Sequence, residues 1–450
     1  MDLPGDRAPL STNLDMLRMF DKGEHDGSFG PRHLVILAWR LLGELDLALF
    51  QDAIDDVVAR HEMLRTQIVR DDGEPYQKVF PPSSPELVVI DLPPDETRPR
   101  EEQADDFVNE IEATTMSVAQ LPHLRVVLGR IDERDAVCVL VTHHVASDGV
   151  SLQVIIRDLA TFYATRKGFP VEPPTPARQY REFTAWQRKA LASPQAEQSR
   201  TYWREAMRDA ELVDLPTDHL PRAGDPARYA VYRFGLDHET TSATTAFATA
   251  MRSSPFMVMT AAFNALLHQE TGTDDLVSAI ITSGRVEPDY NETVGPFFNM
   301  LPLRTELGDC RNFMELVRRT REACLAAYTH ELPFAQIAAQ APALTKTYER
   351  PGTAVWAFQV MQYPGVTEAE LIGDVEYTAI RKRHKSYPVT SDIPNGVLWG
   401  LDIPPTGEIA GTARFNTNEY DQDTVIRMVE QFRRILRAGV QDPASPLSAL

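Results

Sequence analysis

The sequence predicts a mixed α/β fold, of the α+β kind, arranged as two lobes. Three observations predict it. Strand-like and helix-like patterns alternate along all 450 residues without the regular βαβ period of a doubly wound sheet or a barrel, which favours largely antiparallel or mixed sheets. Apolar residues at 43% and charged residues at 24% give the balance of a globular chain with a large core. Seven of the 33 prolines cluster in two stretches, 168–177 (GFPVEPPTPA) and 215–227 (LPTDHLPRAGDPA), on either side of a charged helical segment. The lobes are therefore expected at 1–175 and 215–450, with 176–214 as linker and bridging helix.

The elements follow in order. Leu49, Phe50, Ile54, Val57 and Val58 form one apolar stripe of a helix that starts at Leu47 and runs on into Arg60-His61-Glu62-Met63-Leu64-Arg65-Thr66, before a strand. The continuous apolar run Ala136 to Val141, with three valines, suits a strand buried on both faces. It ends at Thr142-His143-His144, and a short polar turn leads into a helix on which Leu152, Ile155, Ile156, Leu159 and Phe162 repeat at helical spacing. Tyr180, Phe183 and Trp186 mark the bridging helix. Ser254-Pro255 has the order of an N-cap and a first-turn proline, ahead of a helix carrying Phe256, Met259, Phe263, Leu266 and Leu267. A strand through Val277 to Ile281, a helix over Phe313 to Tyr328, strands at Val355 to Met361 and Gly407 to Phe415, and a last helix capped by Asp421 complete the chain.

Composition excludes several functions. Forty-five Lys and Arg against 65 Asp and Glu give a net charge of −20, which repels nucleic acid and anionic lipid. No apolar run reaches the roughly 18 residues a membrane helix needs, and Met1 to Asp6 lacks a signal peptide's charge and apolar core, so the cytoplasm is the expected location. The three cysteines, Cys138, Cys310 and Cys324, are odd in number and lack metal-ligand spacing, so neither a disulfide framework nor a metal site is expected. No phosphate-binding G-x-x-x-x-G-K-[ST] loop occurs.

His143-His144-Val145-Ala146-Ser147-Asp148-Gly149 is the stretch with chemistry in it. An imidazole at a strand end can present one nitrogen to a cleft while a neighbour fixes its tautomer, and it titrates near neutrality, as a general base or a positioning group must. Asp148 can take an arginine partner and hold the loop. Gly149 lets the chain turn into the helix, whose first amides can face a developing oxyanion. The same residues also fit a buried histidine pair under a turn, with Asp148 as a helix cap.

The H-H-x-x-x-D-G pattern resembles the active-site motif of nonribosomal peptide synthetase condensation domains and their chloramphenicol-acetyltransferase-like relatives. Further segments are similar to that family in the same order: Pro9-Leu10-Ser11, the stretch from Arg60 to Thr66, Tyr180 to Gln187, Val294 to Arg304, His330 to Phe334, and Phe415-Asn416-Thr417 with the final helix. Two departures stand out. Asn13 and Leu14 replace a usual Ala-Gln, which suggests an altered donor-side or lobe-packing surface, and a usual Phe-Asp-Leu stretch is not recognisable around Tyr387 to Ile393.

The resemblance implies two acyltransferase-like lobes in a V-shaped pseudo-dimer with a tunnel between them. It implies His144 as the catalytic histidine, His143 as mainly structural, Gly149 as the glycine whose amide lies near the reacting carbonyl, and Asp148 as an aspartate paired with Arg65. Asn299 and Arg304 are implied as second-lobe lining or structural residues. It further implies an acyl group delivered on the phosphopantetheine of a peptidyl carrier protein, an acceptor that is a small molecule or a second carrier protein, and no bound cofactor. Because carriers are acidic, the run Arg381-Lys382-Arg383-His384-Lys385, or the smaller group Arg318, Arg319 and Arg321, is a docking site to test. The chain's end soon after the last helix points to a free-standing condensation enzyme. The alternatives are a coenzyme A-dependent acyltransferase of the same fold and a non-catalytic domain that recruits a partner. An epimerisation domain is disfavoured by Leu152 and by the Asn-Met-Leu-Pro-Leu-Arg segment, and a cyclisation domain by the two histidines.

Overall fold

The computed structural model describes residues 6–450 apart from 72, 93, 94, 96, 222–226, 363–368, 394, 405 and 406. Met1 to Gly5 and the middle of the second proline-rich connection lie outside the described residues. In the first half, β1 (Arg7–Pro9) and α1 (Thr12–Arg18) precede β2 (Leu34–Leu42), α2 (Leu47–Arg60), β3 (Thr66–Val69), β4 (Tyr76–Val79), β5 (Glu86–Asp91), α3 (Arg100–Glu112), β6 (Arg125–Asp132), β7 (Asp135–His143) and α4 (Gly149–Arg166). Two helices, α5 (Tyr180–Leu191) and α6 (Pro194–Ala206), lead to β8 (Asp214–Pro216), β9 (Tyr229–Gly235), α7 (His238–Ala250), α8 (Pro255–Thr271), β10 (Asp275–Thr282) and β11 (Asn299–Glu306). Then come α9 (Phe313–Thr329), α10 (Phe334–Gln340), β12 (Thr353–Met361), β13 (Glu370–Ile372), β14 (Val375–Ala379), β15 (Val397–Asp402), β16 (Ala410–Asn416) and α11 (Gln422–Gln441).

Two mixed sheets organise the lobes. The first has the order β13-β14-β2-β7-β6-β5; the second runs β11-β10-β12-β15-β16-β9, with β8 on β12. All nine residues of β7 are buried, as its unbroken apolar run requires. The pleat explains the run: Ala136, Cys138 and Leu140 face the core under α2 and α4, while Val137, Val139 and Val141 face Phe107 and Val108 of α3. Burial of each large apolar side chain is worth about 1.5–3 kcal/mol, so β7 is the least dispensable strand of the lobe.

Three expectations need correction. The 215–450 portion does not stay in the second lobe: β13 and β14 cross over, and β14 pairs antiparallel with β2. Gly373 makes their turn at φ 68°, where a Cβ would press on Ala164 at 3.0 Å. The bridging segment is two helices rather than one, because Ser193 caps a new start and Pro194 follows it. Helix α5 belongs to the first lobe through Gln77 and Thr184, whereas α6 anchors in the second through Trp203, whose Nε1 donates to the carbonyl of His330 at 2.7 Å. Asp421 stands at the N-cap of α11 without capping it; its carboxylate instead meets His219 at 3.0 Å.

No described helix is long and apolar enough to cross a membrane.

Candidate active site

The end of β7 turns two neighbouring histidines in opposite directions. His143 is fully buried, with Nε2 3.0 Å from the carbonyl of Gly30 and Nδ1 accepting from the Val145 amide at 3.3 Å. Burial, helped by the neighbouring His123, pushes its pKa down to about 3, so it stays neutral and structural. His144 faces the cavity between the lobes. Its Nδ1 lies 2.8 Å from the carbonyl of Ser147, an acceptor, so Nδ1 carries the proton and Nε2 keeps its lone pair. The ring is held between His33, stacked at 4.8 Å, and Phe298, at 4.3 Å. Burial lowers its pKa against the opposing pull of the Ser147 carbonyl and Asp148, which leaves a neutral base near pH 7.

Asp148 also borders the cavity, and its oxygens are engaged in building the floor beneath His144. One oxygen caps α4 by accepting from the Ser151 amide at 2.7 Å, and also accepts from the Ser151 hydroxyl at 2.8 Å and from Arg285 at 3.1 Å. The other accepts from the Phe297 amide at 3.2 Å. Arg285 in turn donates to the carbonyls of Tyr290 and Thr293 and lies over the Phe297 ring at 4.1 Å. The second-lobe loop 284–298 is thereby clamped onto the start of α4. Gly295 permits the approach, because a Cβ there would lie 2.1 Å from the Tyr180 ring.

The partner expected for Asp148 is Arg65, and that pairing does not form. Arg65 ends the turn after α2, donates to the carbonyl of Phe80 at 2.5 Å and lies 4.0 Å from Glu62. The other basic residues of the same segment dock α2 onto α4 instead: Arg60 and His61 both meet Asp158, at 2.7 and 2.8 Å. Asn299 and Arg304 are structural. Asn299 links β11 to the turn before α10 through Leu332 and Phe334, and Arg304 pairs with Asp275 and the carbonyl of Ala206. Neither borders the cavity that holds His144. Asn13 joins α1 to the clamped loop and to α5 by contacts of 2.6 Å with the Phe297 carbonyl and Gln187, so this departure affects lobe packing.

The basic run is not a free docking patch. Arg381 pairs with Asp402, Lys382 with Glu408 at 2.6 Å, Arg383 with Glu112 at 2.7 Å, and Lys385 with Asp106. Counting charges along the sequence leaves out partners supplied by α3 and β15, and those partners turn the run into a second bridge between the lobes. Arg319 and Arg321 are likewise engaged, with Glu306 and the carbonyl of Arg252.

The cavity between these bridges, about 240 Å³, is lined from the first lobe by His33, His144 and Gly149, and from the second by Phe298, Gln359 and Arg414. Gly149 opens α4, so the first turn of that helix borders the space beside His144. A cleft with two neutral imidazoles, His33 and His144, a helix N-terminus and mostly apolar walls suits acyl transfer from an activated carbonyl. The family model for the condensation domain matches residues 33–450. The chain belongs to the condensation-domain family. Condensation domains of this nonribosomal-peptide type form amide bonds in the synthesis of antibiotics and other natural products.

Among curated relatives, the domain is 31% identical to one of the linear gramicidin synthase proteins of Brevibacillus parabrevis, over 98% of this chain and 6% of that protein. It is 33% identical to the probable noncanonical nonribosomal peptide synthetase CymA of Salinispora arenicola, over 93% of this chain and 5% of that protein. The chain thus spans a small part of the length of these relatives. Among solved structures, SgcC5 of Streptomyces globisporus, in complex with (R)-(-)-1-(2-naphthyl)-1,2-ethanediol and sucrose, is 40% identical at a TM-score of 0.94, covering 97% of this chain and 100% of that one. The first condensation domain of the calcium-dependent antibiotic synthetase shares the fold, at 22% identity and a TM-score of 0.80 over 100% and 99% of the two chains.

Arg285, His33 and Arg414 are not legible in the sequence as site residues. Arg285 carries no motif and lies in a loop far along the chain from Asp148; Arg414 alternates with buried Ala413 and Phe415 as a solvent-facing strand charge does.

Proposed function

We propose that this domain acts as a free-standing cytoplasmic condensation enzyme, which transfers an acyl or aminoacyl group from a carrier-protein phosphopantetheine thioester to an amine or hydroxyl acceptor. The observation that carries the reading is the Nε2 lone pair of His144, aimed at the cavity by the hydrogen bond from Nδ1 to the Ser147 carbonyl. His144 takes the proton of the attacking N–H or O–H as the new C–N or C–O bond forms. The imidazolium then returns that proton to the departing thiolate as the C–S bond breaks. The first turn of α4 at Gly149 steadies the oxyanion. A thioester is already activated, so alignment and one proton relay suffice.

The aryl vicinal diol bound to SgcC5 makes a hydroxyl acceptor of that class, and hence ester formation, the first possibility to test. The experiment supplies an acyl-loaded carrier protein, and separately the matching acyl-coenzyme A, with a panel of amines, alcohols and aryl 1,2-diols. Turnover from the carrier, abolished in His144→Ala, is expected. Equal turnover from coenzyme A thioesters replaces this reading with a coenzyme A-dependent acyltransferase. Absence of turnover with every donor, while the carrier still binds, replaces it with a recruiting domain.

A further inference from the structure

A second cavity adjoins the first, and Arg414 and Gln359 border both. The strand register explains why they meet. Gln359 of β12 lies opposite Gly400 of β15, and Gly400 lies opposite Thr412 of β16, so the three project from one face of the sheet. Arg414, two residues beyond Thr412, projects from the same face. A Cβ on Gly400 would stand 3.1 Å from the Thr412 hydroxyl and 3.2 Å from the Gln359 amide nitrogen. The glycine therefore leaves a bare floor between two hydrogen-bonding groups, with a guanidinium at its side.

The charges there do not balance. Glu112 is shared by Arg233 and Arg383, each at 2.7 Å, and Asp402 is taken by Arg381. Arg414 lies within electrostatic reach of Glu112 but forms no ion pair with it. Among the described residues it has no ion-pair or hydrogen-bond partner, and its Nε is buried without one. Gln359 and Thr412 likewise have no side-chain partner among the described residues. Of the Arg414 guanidinium only Nε is buried; the two terminal nitrogens open on the cavity, and such a planar fork matches a carboxylate.

We infer that Arg414, Gln359 and Thr412 form a subsite at the neck between the two cavities for a carboxylate carried by one of the two substrates. The arm's phosphate is a poorer fit, since it lies a full pantetheine length from the thioester, whereas Arg414 lines the same cavity as His144. This assignment rests on the reading of the cavity as a substrate site. It concerns recognition, and the chemistry at His144 does not depend on it.

The test is equilibrium binding to the full chain, with two matched probe pairs. The N-acetylcysteamine monothioester of glutarate against that of glutaramate places the acid on the donor; β-alanine against β-alaninamide places it on the acceptor. In one pair the acid should bind about ten- to hundredfold more tightly than the amide. That preference should vanish in Arg414→Gln with amide affinity unchanged, which also certifies the fold, and persist in part in Arg414→Lys. Equal affinity for acid and amide in both pairs overturns the subsite, as does a preference that survives Arg414→Gln. An Arg414-dependent preference for 4′-phosphopantetheine over pantetheine also overturns it. The two readings fail separately: acid preference without transfer from any thioester refutes the enzyme and spares the subsite, while transfer with acid and amide bound alike does the reverse.

Discussion

Two bridges join the lobes, one beside each of the two adjoining cavities, and they handle charge in opposite ways. At the His144 bridge, one carboxylate, Asp148, receives the Ser151 amide and hydroxyl, the Phe297 amide and Arg285, so every charge is matched. At the other, Glu112 divides itself between Arg233 and Arg383, and a third guanidinium, Arg414, borders the cavity without an ion pair among the described residues. The difference separates chemistry from recognition. A base that must stay neutral sits beside a bridge whose one carboxylate faces one guanidinium, and a group suited to holding an anion sits beside a bridge with a guanidinium to spare.

Removing each bridge sharpens the contrast. Asp148→Ala strands Arg285, uncaps α4 and releases the loop at Phe297, with an expected loss of about 3–5 kcal/mol in denaturant unfolding together with most of the transfer activity. Glu112→Gln keeps shape but leaves Arg233 without a carboxylate and Arg383 with Asp105 alone. Burial by itself would raise the Glu112 pKa, yet Arg383, Arg233 and, more weakly, Arg414 hold it below the usual carboxylate value, so the substitution should cost about 2–4 kcal/mol. A loss as selective for activity as that of Asp148→Ala would erase the distinction between the two bridges.

Acid should act chiefly through the histidines near the first bridge. Burial depresses the pKa of His123 to about 4 and of His143 to about 3, while in the unfolded chain both titrate near the ordinary histidine value of 6.5. The unfolded state therefore binds more protons below that value. Stability is fully present above about pH 6.5 and declines as pH falls through the folded-state values. Melting temperature measured from pH 8 to pH 4 checks the sign, which a flat or rising profile toward acid would reverse.

The smallest effect is expected at Arg65. Arg65→Ala removes one bond to the Phe80 carbonyl and should cost about 0.5–1.5 kcal/mol with no selective loss of transfer. A rate loss matching that of Asp148→Ala would restore the pairing that the family resemblance implies.

How much of the fold and the site is readable in the sequence depends on distance along the chain. The β7 run and the segment from His143 to Gly149 are local, so periodicity and residue type place them correctly. The crossing of β13 and β14 is hidden, since strands of three and five residues around a glycine turn look like a loop of their own lobe. Arg285 is hidden because its partner is a tertiary neighbour. The run from Arg381 to Lys385 is visible but misleading, because its neutralising acids come mostly from α3 in the other lobe.

The most direct test of the central claim, that His144 supplies the base, is the single-turnover transfer rate of His144→Gly from a loaded carrier, with and without added imidazole. A base at this position predicts a loss of about 10²–10⁴-fold that imidazole partly restores, with the fold intact. A variant that transfers at the wild-type rate without imidazole would contradict it.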